Sequence, residues 1–337
     1  MVATPERGRA NPAKPEWHTG ASDDASLLAS PHSRPAAASE LARESYDHRV
    51  SDLHPPLLRW YDAHARDLPW RRTSATPWGV LVSEFMLQQT PVARVLPVYD
   101  AWLARWPRPA DLAAEPSGEA IRAWGRLGYP RRAIRLHAAA TAIGQHHGGE
   151  VPDDYDALRA LPGVGDYTAS AVLAFAFGHR QAVLDTNVRR VLARVASGIE
   201  FPPDAVTAVE RALAVDLLPG DDPTAATWSV ALMELGALVC TAVTPRCGDC
   251  PVRDGCAWRS AGHPAHDGRP RRGQAWSGTD RQCRGRLMAL AREAAGPVGV
   301  TAVERAWPES DQRARCLDSL LSDGLLVRVG AGYALPG

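Results

Sequence analysis

The sequence has 337 residues, enough for two or three domains that bury a substantial hydrophobic core. Its 38 basic and 38 acidic side chains give a formal net charge of zero, which excludes a uniformly basic nucleic-acid binder. Any such binding must come from local patches. There is no apolar signal-peptide core and no stretch long enough to span a membrane, so we expect a cytoplasmic protein.

Residues 1–48 predict a disordered tail, because they are rich in Pro, Ala, Ser and scattered charge and have no periodic apolar face. From about residue 49, apolar residues recur at helical spacing, and Pro and Gly separate one helix from the next. Strand signals are nearly absent before residue 256. The pattern therefore predicts an all-α core.

The segment LPGVGDYTASAVLAFAFG, which begins at Leu161, is typical of a tight turn between two helices. Backbone N–H groups at Gly163 and Gly165 could bind phosphate oxygens at the start of the second helix. An ordinary helix–helix turn is the alternative. Arginines that could support such binding, or simply form a solvated basic face, stand at positions 126, 131, 132, 135, 189, 190 and 194.

Four cysteines lie close together in the run CTAVTPRCGDCPVRDGC. They are Cys240, Cys247, Cys250 and Cys256, separated by gaps of six, two and five residues. Structural zinc usually takes two well-separated CxxC pairs, whereas one CxxC with a third ligand close on either side is typical of a [4Fe-4S] cluster held by one loop. The spacing favours the iron–sulfur cluster over zinc, and either over four buried thiols without a metal.

The composition changes after the cysteines. Residues 261–279 are polar, Gly-rich and basic, as expected of a linker. Residues 280–337 predict three short helices and two strands around a Gly turn, which indicates a small winged-helix-like α+β unit. Its phosphate contacts would come from Arg281, Arg284, Arg286 or the hairpin around Gly330. A purely stabilising appendage is an equally good interpretation.

Five motifs carry a family resemblance. SEFMLQQT, LGYP, LPGVGDYTASA, VLDTNVRRVLAR and the cysteine spacing occur in the same order as in the helix-hairpin-helix base-excision DNA glycosylases. The similarity covers about residues 50–260, and it is strongest to the adenine-excising branch of the MutY type. It implies a six-helix barrel domain at 78–185 and a [4Fe-4S] cluster domain formed by 49–77 and 186–260. DNA would lie in the cleft between them, with the target base flipped out.

Two carboxyl groups are candidates for the chemistry. Glu84 stands in the apolar run VLVSEFML, where burial would raise its pKa and keep it protonated as an acid. Asp185 precedes a helix, where the helix dipole helps it to stay ionised, although helix capping alone would explain an Asp there. The resemblance assigns catalytic roles to both residues, as the acid and as the anion that stabilises a sugar cation.

Tyr167 bears on the reaction type. Relatives of the endonuclease III type carry a lysine at the matching position of the hairpin, where its amine forms a Schiff base with the sugar. Tyrosine cannot form one, so the sequence predicts a glycosylase without efficient strand cleavage. Some thymine-mismatch glycosylases of the same superfamily also carry a tyrosine here, so Tyr167 leaves the target base open.

The resemblance assigns further residues to DNA and base contacts. Gln89 and Tyr129 match residues that wedge into the base stack opposite the target. Trp70, Arg71 and Leu87 match residues that line the adenine pocket. The glycines of the hairpin and Asn187 complete the set of predicted DNA contacts.

Two features depart from the adenine-excising branch. Ser229 and Val230 stand where its members usually carry Asn followed by Gln or Glu, and the tail is too short for their C-terminal Nudix-like domain. We predict a monomeric, nucleoid-associated enzyme that removes adenine opposite 8-oxoguanine or guanine from double-stranded DNA. The alternatives are a thymine or uracil mismatch glycosylase, or a non-catalytic DNA-binding protein that keeps the cluster as a clamp.

Overall fold

The computed structural model describes residues 52–266, 268 and 276–337. The predicted tail at 1–48, and residues 267 and 269–275 of the predicted linker, lie outside these ranges. None of the helices in the described ranges is both long and apolar enough to cross a membrane.

The described chain is almost entirely helical, with one two-stranded antiparallel sheet near the C-terminus. In chain order, its helices are α1 (His54–His64), α2 (Pro77–Leu87), α3 (Val92–Arg105), α4 (Pro109–Ala113), α5 (Ser117–Trp124), α6 (Arg131–His146), α7 (Tyr155–Ala160), α8 (Asp166–Phe177), α9 (Thr186–Val195), α10 (Ala208–Asp216), α11 (Asp222–Leu238), α12 (Ala257–Ser260), α13 (Asp280–Glu293), α14 (Val300–Ala306) and α15 (Ser310–Ser322). The strands are β1 (Val327–Val329) and β2 (Gly332–Ala334), and short 3₁₀ turns occupy Pro69–Arg71, Cys247–Asp249 and Arg253–Gly255.

Helix α2 lies in the first of the hydrophobic cores. Thr76 caps it by accepting a hydrogen bond from Gly79 N–H at 3.1 Å, and Pro77 preorganises its first turn. Every residue from 78 to 86 is buried, and each large apolar side chain among them contributes about 1.5–3 kcal/mol to folding. Glu84 is thus carried into an apolar environment by a helix that the core holds firmly in place.

A second core forms around α1, α9 and α11. Helices α9 and α11 approach closely at Gly236, where an added Cβ would stand only 2.7 Å from Cβ of Asn187. A larger residue at Gly236 would therefore push the two helices apart. The approach brings the start of α9, which follows Asp185, close to the second half of α11. The division of the chain at 77/78 and 185/186 stays a prediction.

The C-terminal residues contain the three helices α13–α15 and the hairpin β1–β2. Val298 pairs with Tyr333 as an isolated bridge, so the segment before α14 extends the hairpin. The buried side chains of this unit belong to the same hydrophobic core as α2. Its end docks on α5 through a hydrogen bond of 2.9 Å from Gly118 N–H to the carbonyl of Pro336. The winged-helix-like assignment stays a prediction.

Candidate active site

A cleft of about 1020 Å³ opens between residues of the two cores. Most of the side chains predicted to act on DNA or a base line it, namely Trp70, Arg71, Glu84, Leu87, Gln89, Tyr167, Asp185 and Asn187. Tyr129, Gly163 and Gly165 lie outside its walls. The cleft therefore gathers residues from α2, α8 and the start of α9, which are distant in sequence, around one volume.

Glu84 is the buried acid of this cleft, with 4% of its surface exposed. Burial raises its pKa to about 7, although the hydrogen bond from Tyr167 acts in the opposite direction. Its Oε2 atom has no hydrogen-bond partner among the residues that the structure describes. A buried carboxyl oxygen without a partner is costly unless a proton or a ligand satisfies it, so Glu84 is suited to exchange a proton with a molecule bound in the cleft.

Tyr167 lies in the first turn of α8 and hydrogen bonds to the carboxyl group of Glu84. Burial raises the pKa of the Tyr167 phenol well above its ordinary value, and the charges of Glu84 and Asp185 act in the same direction. The phenol therefore keeps its proton and serves as a donor. The carboxyl group of Glu84 is the acceptor that this phenol faces.

Asp185 forms the N-cap of α9. Its Oδ1 accepts a hydrogen bond of 2.6 Å from Val188 N–H, and its Oδ2 accepts one of 2.9 Å from the Asn187 side chain. Burial raises the pKa of Asp185 above its ordinary value, whereas these two donors act to lower it. The capping role that the sequence suggested is present, and the same carboxyl group also lines the cleft.

Behind the cleft, Glu234 of α11 is fully buried and binds two arginines. Arg66 donates to both of its oxygens at 2.7 Å, and Arg71 Nη1 donates to Oε2 at 2.8 Å. Burial alone would raise the pKa of Glu234, but the hydrogen bonds from Arg66 and the charge of Arg71 outweigh it and lower the pKa to about 2. Arg71 is thereby fixed in the wall of the cleft, where its charge reaches Glu84.

Two turns at the rim of the cleft are joined by one buried arginine. Gln89 and Tyr129 both have positive φ, of 53° and 48°, which is uncommon for residues other than glycine. Arg132 donates to the carbonyls of Gln88 at 2.6 Å and Gly128 at 3.1 Å, which holds the two turns side by side. Strain of this kind persists where the surrounding structure enforces it, often at binding sites.

The hairpin between α7 and α8 is tightly packed at one glycine. Gly163 has φ of 83°, and an added Cβ would stand 2.8 Å from Arg135 and 2.9 Å from the ring of Phe85. Both Gly163 and Gly165 are exposed, so their backbones are open to a ligand such as a phosphate group. Binding of phosphate by this hairpin remains a prediction.

The arginines near the hairpin do not all behave as the sequence suggested. Arg132, Arg189, Arg190 and Arg194 are buried, so a solvated basic face is wrong for these four. Arg189, for example, pairs with Glu210 at 2.9 Å. The arginines of this set that are exposed are Arg126, Arg131 and Arg135. Sequence cannot separate the two groups, because their partners are carbonyl oxygens or distant carboxylates.

The cysteines Cys240, Cys247, Cys250 and Cys256 line one small cavity after α11. Arg194 Nη1 lies 3.4 Å from Cys240 Sγ, and Arg190 Nε donates to the Cys240 carbonyl at 2.8 Å. Four thiols that face one cavity, with guanidinium groups beside them, fit an anionic cluster held by thiolates. Among the described residues, no group of three or more His, Cys, Asp or Glu side chains is arranged to hold one isolated metal ion, as distinct from a cluster.

Comparisons with known proteins show the family of the chain. Residues 82–214 match the model of the HhH-GPD superfamily base excision DNA repair protein, and residues 240–256 match the iron-sulfur binding domain of endonuclease III. The adenine DNA glycosylase of Mycobacterium tuberculosis is 54% identical over 290 residues, which cover 86% of this chain and 94% of that protein. The chain belongs to the adenine DNA glycosylases. Its [4Fe-4S] cofactor, predicted from the cysteine spacing, is confirmed by the match at these cysteines.

One further relative supports the family, and one solved structure supports the fold. That of Mycolicibacterium smegmatis is 50% identical over 283 residues, which cover 83% of this chain and 95% of that protein. A solved structure of a thermostable thymine-DNA glycosylase superposes with a TM-score of 0.59 at 28% identity, and covers 64% of this chain and 99% of that one. The predicted family and helical fold are therefore confirmed.

The glycosylase departs from its family pattern at the end of the cleft formed by α11. Val230 lines the cleft, and Ser229 is buried with its hydroxyl donating to the carbonyl of Gln181 at 3.2 Å. Neither side chain presents the amide or carboxyl group that the resemblance led us to expect. The polar side chains in the other walls of the cleft include Arg66, Arg71 and Glu84.

Two structural residues of this glycosylase were missed at the level of sequence. Glu234 stands in the run ALMELGALVC, and a charge within such an apolar run is the signal that could have revealed a buried ion pair. Arg132 has no comparable signal, because it binds backbone carbonyls far along the chain.

Proposed function

We propose that this protein removes adenine from double-stranded DNA in base-excision repair, acting on adenine opposite 8-oxoguanine or guanine. The observation that carries this proposal is the buried carboxyl of Glu84, hydrogen bonded to Tyr167 in a cleft that it shares with Asp185. A nucleotide within a duplex cannot reach such a group, so the target must be flipped out of the base stack. The cleft volume of about 1020 Å³ is large enough for a nucleotide.

Glu84 acts as the acid. In its protonated form it donates a proton to a ring nitrogen of adenine, so that the base leaves with the electron pair of the N-glycosidic bond. The pKa of about 7 leaves a large fraction of the acid protonated at neutral pH. The hydrogen bond from Tyr167 keeps the carboxyl group oriented toward the bound base.

Asp185 acts on the sugar. Breaking the N-glycosidic bond leaves positive charge on the deoxyribose, and an anion nearby stabilises it, as one of two carboxylates does in glycoside hydrolysis. Val188 N–H and the Asn187 amide, which both donate to Asp185, hold it in place and favour its ionised form. Water then adds to the sugar carbon, and the product is an abasic site.

The four cysteines would hold the cluster at the end of α11. As its ligands, these cysteines would hold the loop from Cys240 to Cys256 beside α9 and α12. Arg190 and Arg194 contribute to the same attachment, since both contact Cys240. Their role is structural, because the cysteines line a cavity separate from the cleft that contains Glu84.

Base release from a panel of mispaired duplexes tests the proposal directly. We expect adenine to be released from duplexes with adenine opposite 8-oxoguanine or guanine, and alkali to cleave the resulting abasic strand. Release of thymine or uracil in place of adenine would support a mismatch glycosylase of the same fold. Binding without release of any base would support a protein that only binds DNA.

Replacing Tyr167 by lysine is expected to create lyase activity. The wild-type enzyme should leave an abasic strand that breaks only after alkali, because a phenol cannot form a Schiff base with the sugar. In Tyr167→Lys, an amine takes the place of the phenol and can attack the sugar carbon. Borohydride trapping of the enzyme on DNA measures the adduct. Tyr167→Phe is the control without an amine, and efficient trapping of the wild-type enzyme would refute this prediction.

Replacing Cys247 by serine is expected to reduce the iron and acid-labile sulfide content of the purified protein and to lower its thermal stability. A hydroxyl group is a poor ligand for iron, so one of the four thiolates is lost. The matched control is Cys316→Ser, since Cys316 lies in the C-terminal unit outside the cluster cavity. Equal iron and sulfide in both variants would show that Cys247 is not a ligand.

A further inference from the structure

Two exposed aromatic side chains flank Arg281 near the rim of the cleft. The guanidinium carbon of Arg281 lies 5.6 Å from the ring centre of Tyr129 and 5.4 Å from that of Trp276. About half of each aromatic residue is exposed, 49% for Tyr129 and 53% for Trp276. Large aromatic surfaces left open to water, with a cation between them, are typical of binding surfaces rather than of packing.

Tyr129 is held in place from the side of α6. The guanidinium of Arg132 lies 5.4 Å from its ring centre, on the same turn whose carbonyl at Gly128 it binds. Because Arg132 also binds the carbonyl of Gln88, the turn with Tyr129 is fixed beside the turn with Gln89. Gln89 lines the cleft, so the ring of Tyr129 is placed close to its rim.

Trp276 is held in place from the C-terminal side. The turn that it begins is closed by a hydrogen bond of 2.8 Å from Thr279 Oγ1 to the Trp276 carbonyl. Gly278 N–H donates to Gln282 Oε1 at 2.8 Å, and Gln312 donates to the Gly278 carbonyl at 2.9 Å. These bonds tie the turn to α13 and α15, so the indole is attached to a packed unit.

The C-terminal unit is itself attached to α5 and α6 close to this point. Arg131, two residues after Tyr129, pairs with Asp323 at 3.3 Å. Arg122 donates to the carbonyl of Ala294 at 3.1 Å, which anchors the end of α13 to α5. The unit therefore has a defined position relative to Tyr129, and Arg281 at the start of α13 is directed toward that ring.

The other arginines at the start of α13 are engaged within the unit. Arg284 pairs with Asp323 at 2.6 Å, and the guanidinium of Arg286 lies 5.3 Å from the ring of Trp307. The sequence analysis predicts both of them, together with Arg281, as candidate phosphate contacts. Arg281 differs from them because the rings that it contacts are exposed, and one of them, Tyr129, belongs to the turn that is held beside Gln89.

We propose that Trp276 and Arg281 extend the predicted wedge at Tyr129 into a stacking surface for the unpaired base opposite the extruded adenine. Aromatic rings and guanidinium planes are the groups on which proteins stack unpaired bases. When adenine leaves the duplex, its former partner loses its pairing and becomes available at the rim. The inference rests on the proposed function, and it gives the C-terminal unit a direct part in contacting the mispair.

Binding to a product-like duplex tests the proposal without any chemistry. The probe is a duplex with a tetrahydrofuran abasic analogue opposite the fluorescent base 2-aminopurine, compared with a fully paired duplex. Wild-type protein should quench the 2-aminopurine as it stacks, and Trp276→Ala should bind the probe about tenfold more weakly. Trp276→Phe should retain most of the quenching, because it keeps an aromatic ring.

Two arginine variants separate stacking from general charge. Arg281→Ala should weaken binding of the probe duplex more than binding of the paired duplex. Arg305→Ala, which removes an exposed charge from α14 of the same unit, should preserve that preference. If both variants weaken both duplexes equally and lower the salt dependence alike, Arg281 contacts phosphates and the stacking surface is wrong.

Unchanged quenching and affinity in Trp276→Ala would equally overturn the proposal, and thermal unfolding of each variant shows whether the C-terminal unit stays folded. The assay uses an abasic analogue, so its result does not depend on base release. A wild-type protein that stacks the probe but releases no adenine would contradict only the proposed function. One that releases adenine but does not quench the probe would contradict only the stacking surface.

Discussion

Glu84→Gln is expected to abolish adenine release while leaving DNA binding nearly intact. The amide fills the space of the carboxyl group but has no acidic proton to give to the departing base. Loss of a positioned general acid typically lowers a rate by about a hundredfold or more. Single-turnover base release measures the loss, and the affinity for a duplex with an uncleavable adenine analogue measures binding. Near-normal turnover would show that Glu84 is not the acid.

The pH dependence of base release gives a second measurement of the same group. Glu84 acts in its protonated form, and burial raises its pKa to about 7. The rate should therefore fall as the pH rises above about 7, by about tenfold for each further pH unit. Glu150→Gln, at an exposed position, is the matched control and should keep this profile. A rate that stays constant from neutral to alkaline pH would contradict the assignment.

Stability provides a check that Glu84→Gln is folded. The pKa of Glu84 is raised from 4.5 to about 7 in the folded state, so the folded protein binds this proton more tightly than the unfolded chain. Its contribution to stability is fully present below about pH 4.5 and is lost as the pH rises through about 7. Above that pH, the free energy of unfolding of Glu84→Gln should exceed that of wild type by about 3 kcal/mol. The variant should therefore also unfold at a higher temperature. The difference should vanish at low pH.

The parts of the site that sequence could predict are those with a local signal. The spacing of the cysteines alone predicts a cluster, and the position of Glu84 as a charged residue in an apolar helix indicates a special role. Asp185 needed the family motif, because an Asp before a helix is explained equally well by capping. The helices themselves follow from periodic apolar residues, from Thr76 as a cap and from Pro and Gly as breaks.

The parts that sequence could not predict depend on contacts between distant residues. Arg66 and Glu234 are 168 positions apart, and the sequence around either residue does not indicate its partner. The sequence around Arg132 is typical of an exposed arginine, and only the structure shows the carbonyl groups that it binds. The same holds for Arg281, since its placement against Tyr129 depends on how the C-terminal unit docks on α5 and α6. The periodicity of apolar residues predicts the helices, whereas the contacts between their side chains depend on tertiary packing.

The pair formed by Arg66 and Glu234 shows how strongly such a contact can act. The side chain of Glu234 is fully buried, and it accepts hydrogen bonds from Arg66 N–H, Arg66 Nε and Nη2, and Arg71 Nη1. Removing one partner of a buried pair leaves the other charge without compensation, which costs more than the pair itself contributes. Loss of the Glu234 charge would leave both arginines without their partner, including Arg71 in the wall of the cleft.

Glu234→Gln is therefore expected to destabilise the protein by about 3 kcal/mol at neutral pH. The folded-state pKa of Glu234 is lowered from 4.5 to about 2, so its stabilising contribution is present above about pH 4.5 and is lost as the pH falls toward 2. Chemical denaturation of wild type and variant should show a difference that shrinks in acid. The control is Glu119→Gln, which breaks the more exposed pairs with Arg105 and Arg122 and should cost less than about 1 kcal/mol. Equal losses in the two variants, or a loss that persists unchanged in acid, would show that the charge of Glu234 does not stabilise the fold.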